Sequence, residues 1–158
     1  MLKLESSAFA AGHPIPKKYT CEGRDVSVPL AWSGVPRGVK SFALIVDDPD
    51  APDPAVPKMT WVHWVLYNIA ATASALAEGL SSNSLPPGVV EGPNDFDRVR
   101  FGGPCPPIGR HRYFFKLYAL DAMLPTGKVL DKSGLETAMR GHILAQAELV
   151  GTYQKGDK

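Results

Sequence analysis

The feature that most constrains this chain is its density of glycine and proline: thirty of 158 residues, about 19%, against roughly 12% in an average protein. Proline removes a helix donor and clashes with the preceding turn, and glycine adds backbone entropy, so a helix bundle is disfavoured. Disorder is not the explanation, because 44% of residues are hydrophobic and only 21% charged, enough to build a core at this length. The remaining class is a loop-rich, mainly β fold with many tight turns, and the length fits one domain over residues 1–158.

Charge narrows the partners. Seventeen Lys and Arg against sixteen Asp and Glu leave a formal net charge of +1. No basic run exceeds two residues (Lys17–Lys18), so no nucleic-acid partner is expected. The start, MLKLESSAF, has no apolar stretch long enough for a signal peptide, and no segment approaches a membrane span. The expectation is a cytoplasmic protein without membrane insertion. Two cysteines, Cys21 and Cys105, do not make a disulfide framework.

Three segments read as buried strands: VKSFALIVD (39–47), WVHWVLYNI (61–69) and RYFFKLYAL (112–120), all rich in β-branched and aromatic residues. Proline punctuates DPDAPDPAVP (48–57), which reads as an irregular loop, and GGPCPPIG (102–109) reads as a stiff one. Ser133 and Glu136 have capping-box spacing, predicting a short helix over about 134–141 that ends near Gly141. The final stretch ILAQAELVGTY (143–153) alternates, with Ala145, Ala147, Leu149, Gly151 and Tyr153 facing one way; a helix extending through AQAEL is the alternative. An antiparallel β-sandwich with one or two short helices fits best.

The titratable residues sit at loop–strand junctions. Strand periodicity puts Trp61, His63, Val65 and Tyr67 on one face, and His111, Tyr113, Phe115 and Leu117 on one face of the later strand. Each histidine alone reads as a satisfied core or turn residue, and Asp48 and Asp50 alone as turn formers. Together, beside rigid loops, they read as a site. If the junctions converge, two imidazoles, a phenol and the amides of Gly102 and Gly103 offer donors for an oxyanion such as phosphate or a carboxylate.

DPDAP (48–52), WVHW (61–64) and GPCPPIGRHRYFFKLYALD (103–121) resemble the phosphatidylethanolamine-binding protein family, above all its bacterial and archaeal Raf-kinase-inhibitor-like branch, the YbhB/YbcL group. YTCEGRDVSVPLAW (19–32) and GHILAQAELVGTY (141–153) resemble that branch's terminal motifs, so the likeness covers nearly the whole chain. It implies an antiparallel β-sandwich with a small anion pocket at one edge, which takes phosphate, carboxylates or the phosphorylethanolamine headgroup. By motif position the ligand contacts would be Asp48, Asp50, His63, Gly103, His111 and Tyr113. The rim would comprise Pro52, Trp61, Pro104, Cys105 and Pro106, with Pro52 after a cis peptide. The resemblance also implies modulation of a protein kinase or serine protease as a partner function. The chain departs from the branch at NDFDRVRFGG (94–103), where Arg98 or Arg100 adds charge and a further anion contact is expected.

Binding rather than catalysis is the expectation. No GxSxG elbow is present, and Cys105, the one candidate nucleophile, reads as a small buried thiol. A mixed Asp/His metal site is the rival reading, but the usual close ligand spacings are absent, so neither a metal nor another cofactor is expected. Cys21 and Cys105 fall in motifs on the inferred pocket side; a disulfide is open to them, but a reducing cytosol favours neighbouring free thiols. If His63 and His111 flank Asp48, anion binding and histidine protonation are coupled, and anion affinity falls as pH rises.

Overall fold

The apolar runs of the sequence become the central strands of two antiparallel sheets. The computed structural model describes residues 1–157. A five-stranded sheet has the order β6-β4-β3-β7-β8, with β3 (Ser41–Ala51), β4 (Met59–Ala70), β6 (Val90–Gly92), β7 (His111–Leu120) and β8 (Ile143–Tyr153). A smaller sheet, β1-β2-β5, is formed by β1 (Lys3–Glu5), β2 (Leu30–Ser33) and β5 (Ala75–Leu76). One helix, α1 (Lys132–Met139), and a 3-10 turn at Lys17–Tyr19 complete the elements. The mainly β antiparallel sandwich expected from the sequence is the architecture found.

β3 is apolar on both faces because both are covered. Phe42, Leu44 and Val46 join Trp64, Leu66, Phe115, Leu117 and Leu149 in a core with Leu4, Leu30 and Trp32 of the small sheet. Ala43 and Ile45 face the other way, toward Leu135 and Met139 of α1. A fully buried side chain of this size contributes roughly 1.5–3 kcal/mol, so this double coverage fixes β3 as the sheet's centre. β8 alternates as its sequence predicts: Leu149 and Tyr153 are buried in the inner core, with Ala145 and Ala147 packed against it. Gly151 leaves room there for Ile15, whose Cγ1 would lie 2.6 Å from a Cβ at that position.

Four local expectations are corrected. DPDA does not break off as loop: β3 continues to Ala51, with a register irregularity between Asp48 and Ala51. The β4 faces are not those of an unbroken strand. Val46 pairs with Trp64 but Asp47 pairs with Val62, so His63 is the extra residue of a bulge. His63 and Trp64 both turn inward, while Val62, Val65 and Tyr67 face the helix side. The cap of α1 is Asp131, whose carboxylate accepts from the Gly134 N–H, and not Ser133, which lies inside the helix. Finally, Cys21 and Cys105 are joined in a disulfide with Cα atoms 5.4 Å apart, where free thiols were expected.

Among the described residues no helix is long and apolar enough to cross a membrane.

Candidate functional site

At one end of the five-stranded sheet, three adjacent strands put polar side chains on one face. β3 supplies Asp48, β4 supplies Trp61 and His63, and β7 supplies His111 and Tyr113. They line a cavity of about 290 Å³ whose remaining wall is apolar. The bulge at His63 makes this possible: it turns the imidazole to the cavity while Trp64 still enters the core and donates Nε1–H to Glu91. The Pro/Gly segments close the mouth, with Ala51 and Pro52 on one side, joined by a cis peptide as the resemblance implies, and Cys105, Pro106 and Pro107 on the other.

The hydrogen bonds determine which groups a ligand can use. Asp48 accepts the Asp50 N–H at 2.7 Å through Oδ1 and meets His111 Nδ1 at 2.5 Å through Oδ2. His111 Nε2 faces the carbonyl oxygens of Ile108 (2.9 Å) and Pro52 (3.1 Å). Carbonyls only accept, so Nε2 carries a proton. The Nδ1–Oδ2 contact then needs one more proton, since two lone pairs at that distance repel. Wherever that proton rests, the Asp48–His111 pair has no net charge, and both nitrogens of His111 are engaged.

His63 donates Nδ1–H to the Gly102 carbonyl at 2.6 Å, which leaves Nε2 for a ligand. Burial lowers its proton affinity, partly offset by that carbonyl and by Asp48, which favours the neutral imidazole at neutral pH. The Tyr113 hydroxyl is buried without a hydrogen-bond partner; the Cys105 backbone N–H approaches without completing one. Burial first, then the charges of Asp48 and Asp50, raises its pKa, so it stays a donor. Its ring is held edge-on to His63 at 5.2 Å and near-parallel to His111 at 6.3 Å between centroids.

Of the residues expected from the sequence, Asp48, His63, His111, Tyr113, Pro52, Trp61, Cys105 and Pro106 line the cavity. Asp50 does not. Its carboxylate holds the backbone N–H and guanidinium of Arg112 at 2.9–3.0 Å, a contact that lowers its pKa. Gly103 does not either: its N–H donates to Asp25 Oδ1, and a Cβ there would lie 2.3 Å from the Tyr19 carbonyl. The Gly102 N–H is likewise engaged, by the His63 carbonyl. Pro104 lies outside the cavity wall and accepts the Cys21 N–H. Arg98 and Arg100 stand in an adjoining hollow, Arg100 paired with Asp25. From that segment Phe96 reaches the cavity instead, edge-on to both Trp61 and His63. The sequence signal for this turn is Asn94, whose side-chain oxygen accepts the N–H groups of Phe96 and Arg98. Met59 and Pro107, also unforeseen, complete the mouth.

The family model for phosphatidylethanolamine-binding protein matches residues 5–154. The UPF0098 protein of Methanothermobacter thermautotrophicus is 45% identical over 156 residues, covering 98% of this chain and all of that relative. The crystal structure of a phosphatidylethanolamine-binding protein homologue from Chlamydia trachomatis superposes with a TM-score of 0.88 at 45% identity, covering 98% of this chain and 97% of that one. YbcL of E. coli, described as a member of the mammalian family, superposes with a TM-score of 0.86 at 35% identity, covering 97% and 98%.

Proposed function

The chain belongs to the phosphatidylethanolamine-binding protein family, and from that premise we propose that its cavity captures a small anionic group, a phosphate or carboxylate or the phosphorylethanolamine headgroup, together with one proton. The observation that carries this reading is the Tyr113 hydroxyl, buried in the cavity wall with no partner of its own. A buried donor left unsatisfied costs roughly 1–3 kcal/mol, which an incoming oxygen would relieve. The proton follows from charge. Arg112 is held by Asp50, Lys116 and Lys132 by Asp47, and the Asp48–His111 pair is neutral, so the lining offers an anion no standing countercharge. Protonation of His63 at Nε2 on binding supplies one, with Nε2–H and the Tyr113 O–H as the two donors.

Binding rather than turnover is the role that the wall supports. Cys105, the one nucleophile the sequence offers, has its sulfur in the disulfide.

The test is a titration with inorganic phosphate, acetate and phosphorylethanolamine, followed by NMR of the His63 and Tyr113 rings. Saturable shifts at these two rings, with His13 and His142 unmoved, are expected. Rings that stay in place at saturating ligand would overturn the reading.

A further inference from the structure

We propose that the Cys21–Cys105 bond is a thiol–disulfide exchange site whose redox state sets the affinity of the cavity. Its two cysteines have different surroundings. Cys21 is exposed, in the turn that follows the 3-10 segment, whereas Cys105 is half-buried and forms wall to the cavity. Both cysteines line the adjoining hollow with Asp25, Arg98 and Gly103, and of the two Cys105 alone also lines the cavity. An attacking thiol therefore approaches from the Cys21 side, and a ligand in the cavity lies on the Cys105 side.

The backbone around the bond is held by other means. Cys21 N–H donates to the Pro104 carbonyl at 3.1 Å, Gly103 N–H to Asp25 at 2.7 Å, and Gly103 lies directly against Tyr19 and Thr20. Pro104, Pro106 and Pro107 stiffen the same loop. Separated thiol sulfurs require about 1.5 Å more than bonded ones. With the main chain fixed, side-chain rotation has to provide it. Cys21 has its exposed turn and the adjoining hollow to rotate into; Cys105, half-buried, has the cavity on one side and the hollow on the other. Reduction thus replaces a fixed sulfur in the wall with a rotating S–H beside the Cys105 backbone that approaches Tyr113.

The exchange balances with a dithiol reductant. Its thiolate attacks Cys21 Sγ, the S–S bond breaks, and the electron pair leaves on Cys105 Sγ, which takes a proton from water. The reductant's second thiolate then displaces Cys21 Sγ, which is protonated in turn, and the reductant ends as its own disulfide, two electrons poorer. Coupling is reciprocal: whatever factor reduction takes from ligand affinity, bound ligand shifts the redox equilibrium toward the disulfide by the same factor.

The affinity arm rests on the proposed anion site, so the experiment has two readouts. Inorganic phosphate is titrated by calorimetry into the oxidised protein, the dithiothreitol-reduced protein and Cys21→Ser. In parallel, the ratio of reduced to oxidised dithiothreitol at which the bond is half reduced is measured with and without phosphate. A fall in affinity of about five-fold or more in both thiol forms, matched by an equal shift of that ratio, is the expected result. Equal affinity in all three, or a ratio indifferent to phosphate, overturns the exchange site as a control of the cavity. Should phosphate bind none of the three, the anion reading fails on its own account, and the inference is decided by NMR of the ligand-free protein. Reduction that moves the His63 and Tyr113 rings but not His13 or His142 upholds it; reduction that moves neither ring overturns it.

Discussion

Removing one oxygen, in Tyr113→Phe, separates a binding group from a stabilising one. In the free protein the hydroxyl is buried and unpartnered, while the ring packs against His63 and His111, contacts that phenylalanine keeps. Burying an unsatisfied polar group costs about 1–3 kcal/mol. The variant is therefore expected to gain about 1 kcal/mol or more in unfolding free energy, a rise of about 2–4 °C in Tm for a domain of this size. Ligand binding moves in the opposite direction. A hydrogen bond to a charged group is worth about 1.5–3 kcal/mol, so the Kd for phosphate should rise by about ten- to 150-fold. Calorimetric unfolding without anion and phosphate titration on the same preparations read both effects. A Tm that falls by a similar amount would mean that the hydroxyl has a partner in the free protein. A Kd within two-fold of wild type would mean that it is not a ligand contact. Either outcome refutes the reasoning.

Three further outcomes are expected. Asp50→Ala should destabilise the fold by about 1–2 kcal/mol, since three donors of Arg112 lose their acceptor on one partly exposed pair, yet leave phosphate affinity unchanged; because the Asp50 pKa is lowered, its contribution is present above about pH 4 and lost below it, which acid unfolding of variant and wild type checks. Gly103→Ala should weaken both fold and binding, because the new Cβ would stand 2.3 Å from the Tyr19 carbonyl and 2.4 Å from Asp25 Oδ1 and force the Cys105 loop away; overpacking of this kind costs about 1–3 kcal/mol, read as a lowered Tm. Burial lowers the His63 pKa, so in the anion-free protein the unfolded chain takes up a proton below its ordinary value of 6.5 before the fold does; stability should fall as pH drops from about 6.5, and His63→Gln should flatten that slope in denaturant titrations from pH 7.5 to 5.

The sequence made the scaffold legible because burial on two faces leaves an unbroken apolar run, as in β3, and burial on one leaves alternation, as in β8. Strands as short as β1, β5 and β6 have two or three residues and no period to detect. The bulge at His63 was invisible for a related reason. Period-two reasoning carries a face assignment along the strand until an extra residue resets it, and here the reset falls on the residue that matters. Motif positions brought Asp48, His63, His111 and Tyr113 to one cavity, but motif position does not say which atoms are already taken. Asp50 is held by Arg112, the Gly103 N–H by Asp25, and both nitrogens of His111 by Asp48 and two carbonyls, contacts that, apart from the nearby Ile108 carbonyl, join residues distant in sequence. The disulfide is not legible because its cysteines are 84 residues apart, and an expected compartment does not say whether two distant cysteines meet in the fold.

The claim that an anion enters this cavity with a proton is tested most directly by titrating acetate, which carries no proton of its own near neutral pH, in buffers of different ionisation enthalpy. The account predicts saturable binding with uptake of about one proton per site at pH 7.5, abolished in His63→Gln. Acetate that binds without proton uptake, or takes up the same proton when His63 is replaced, would contradict it.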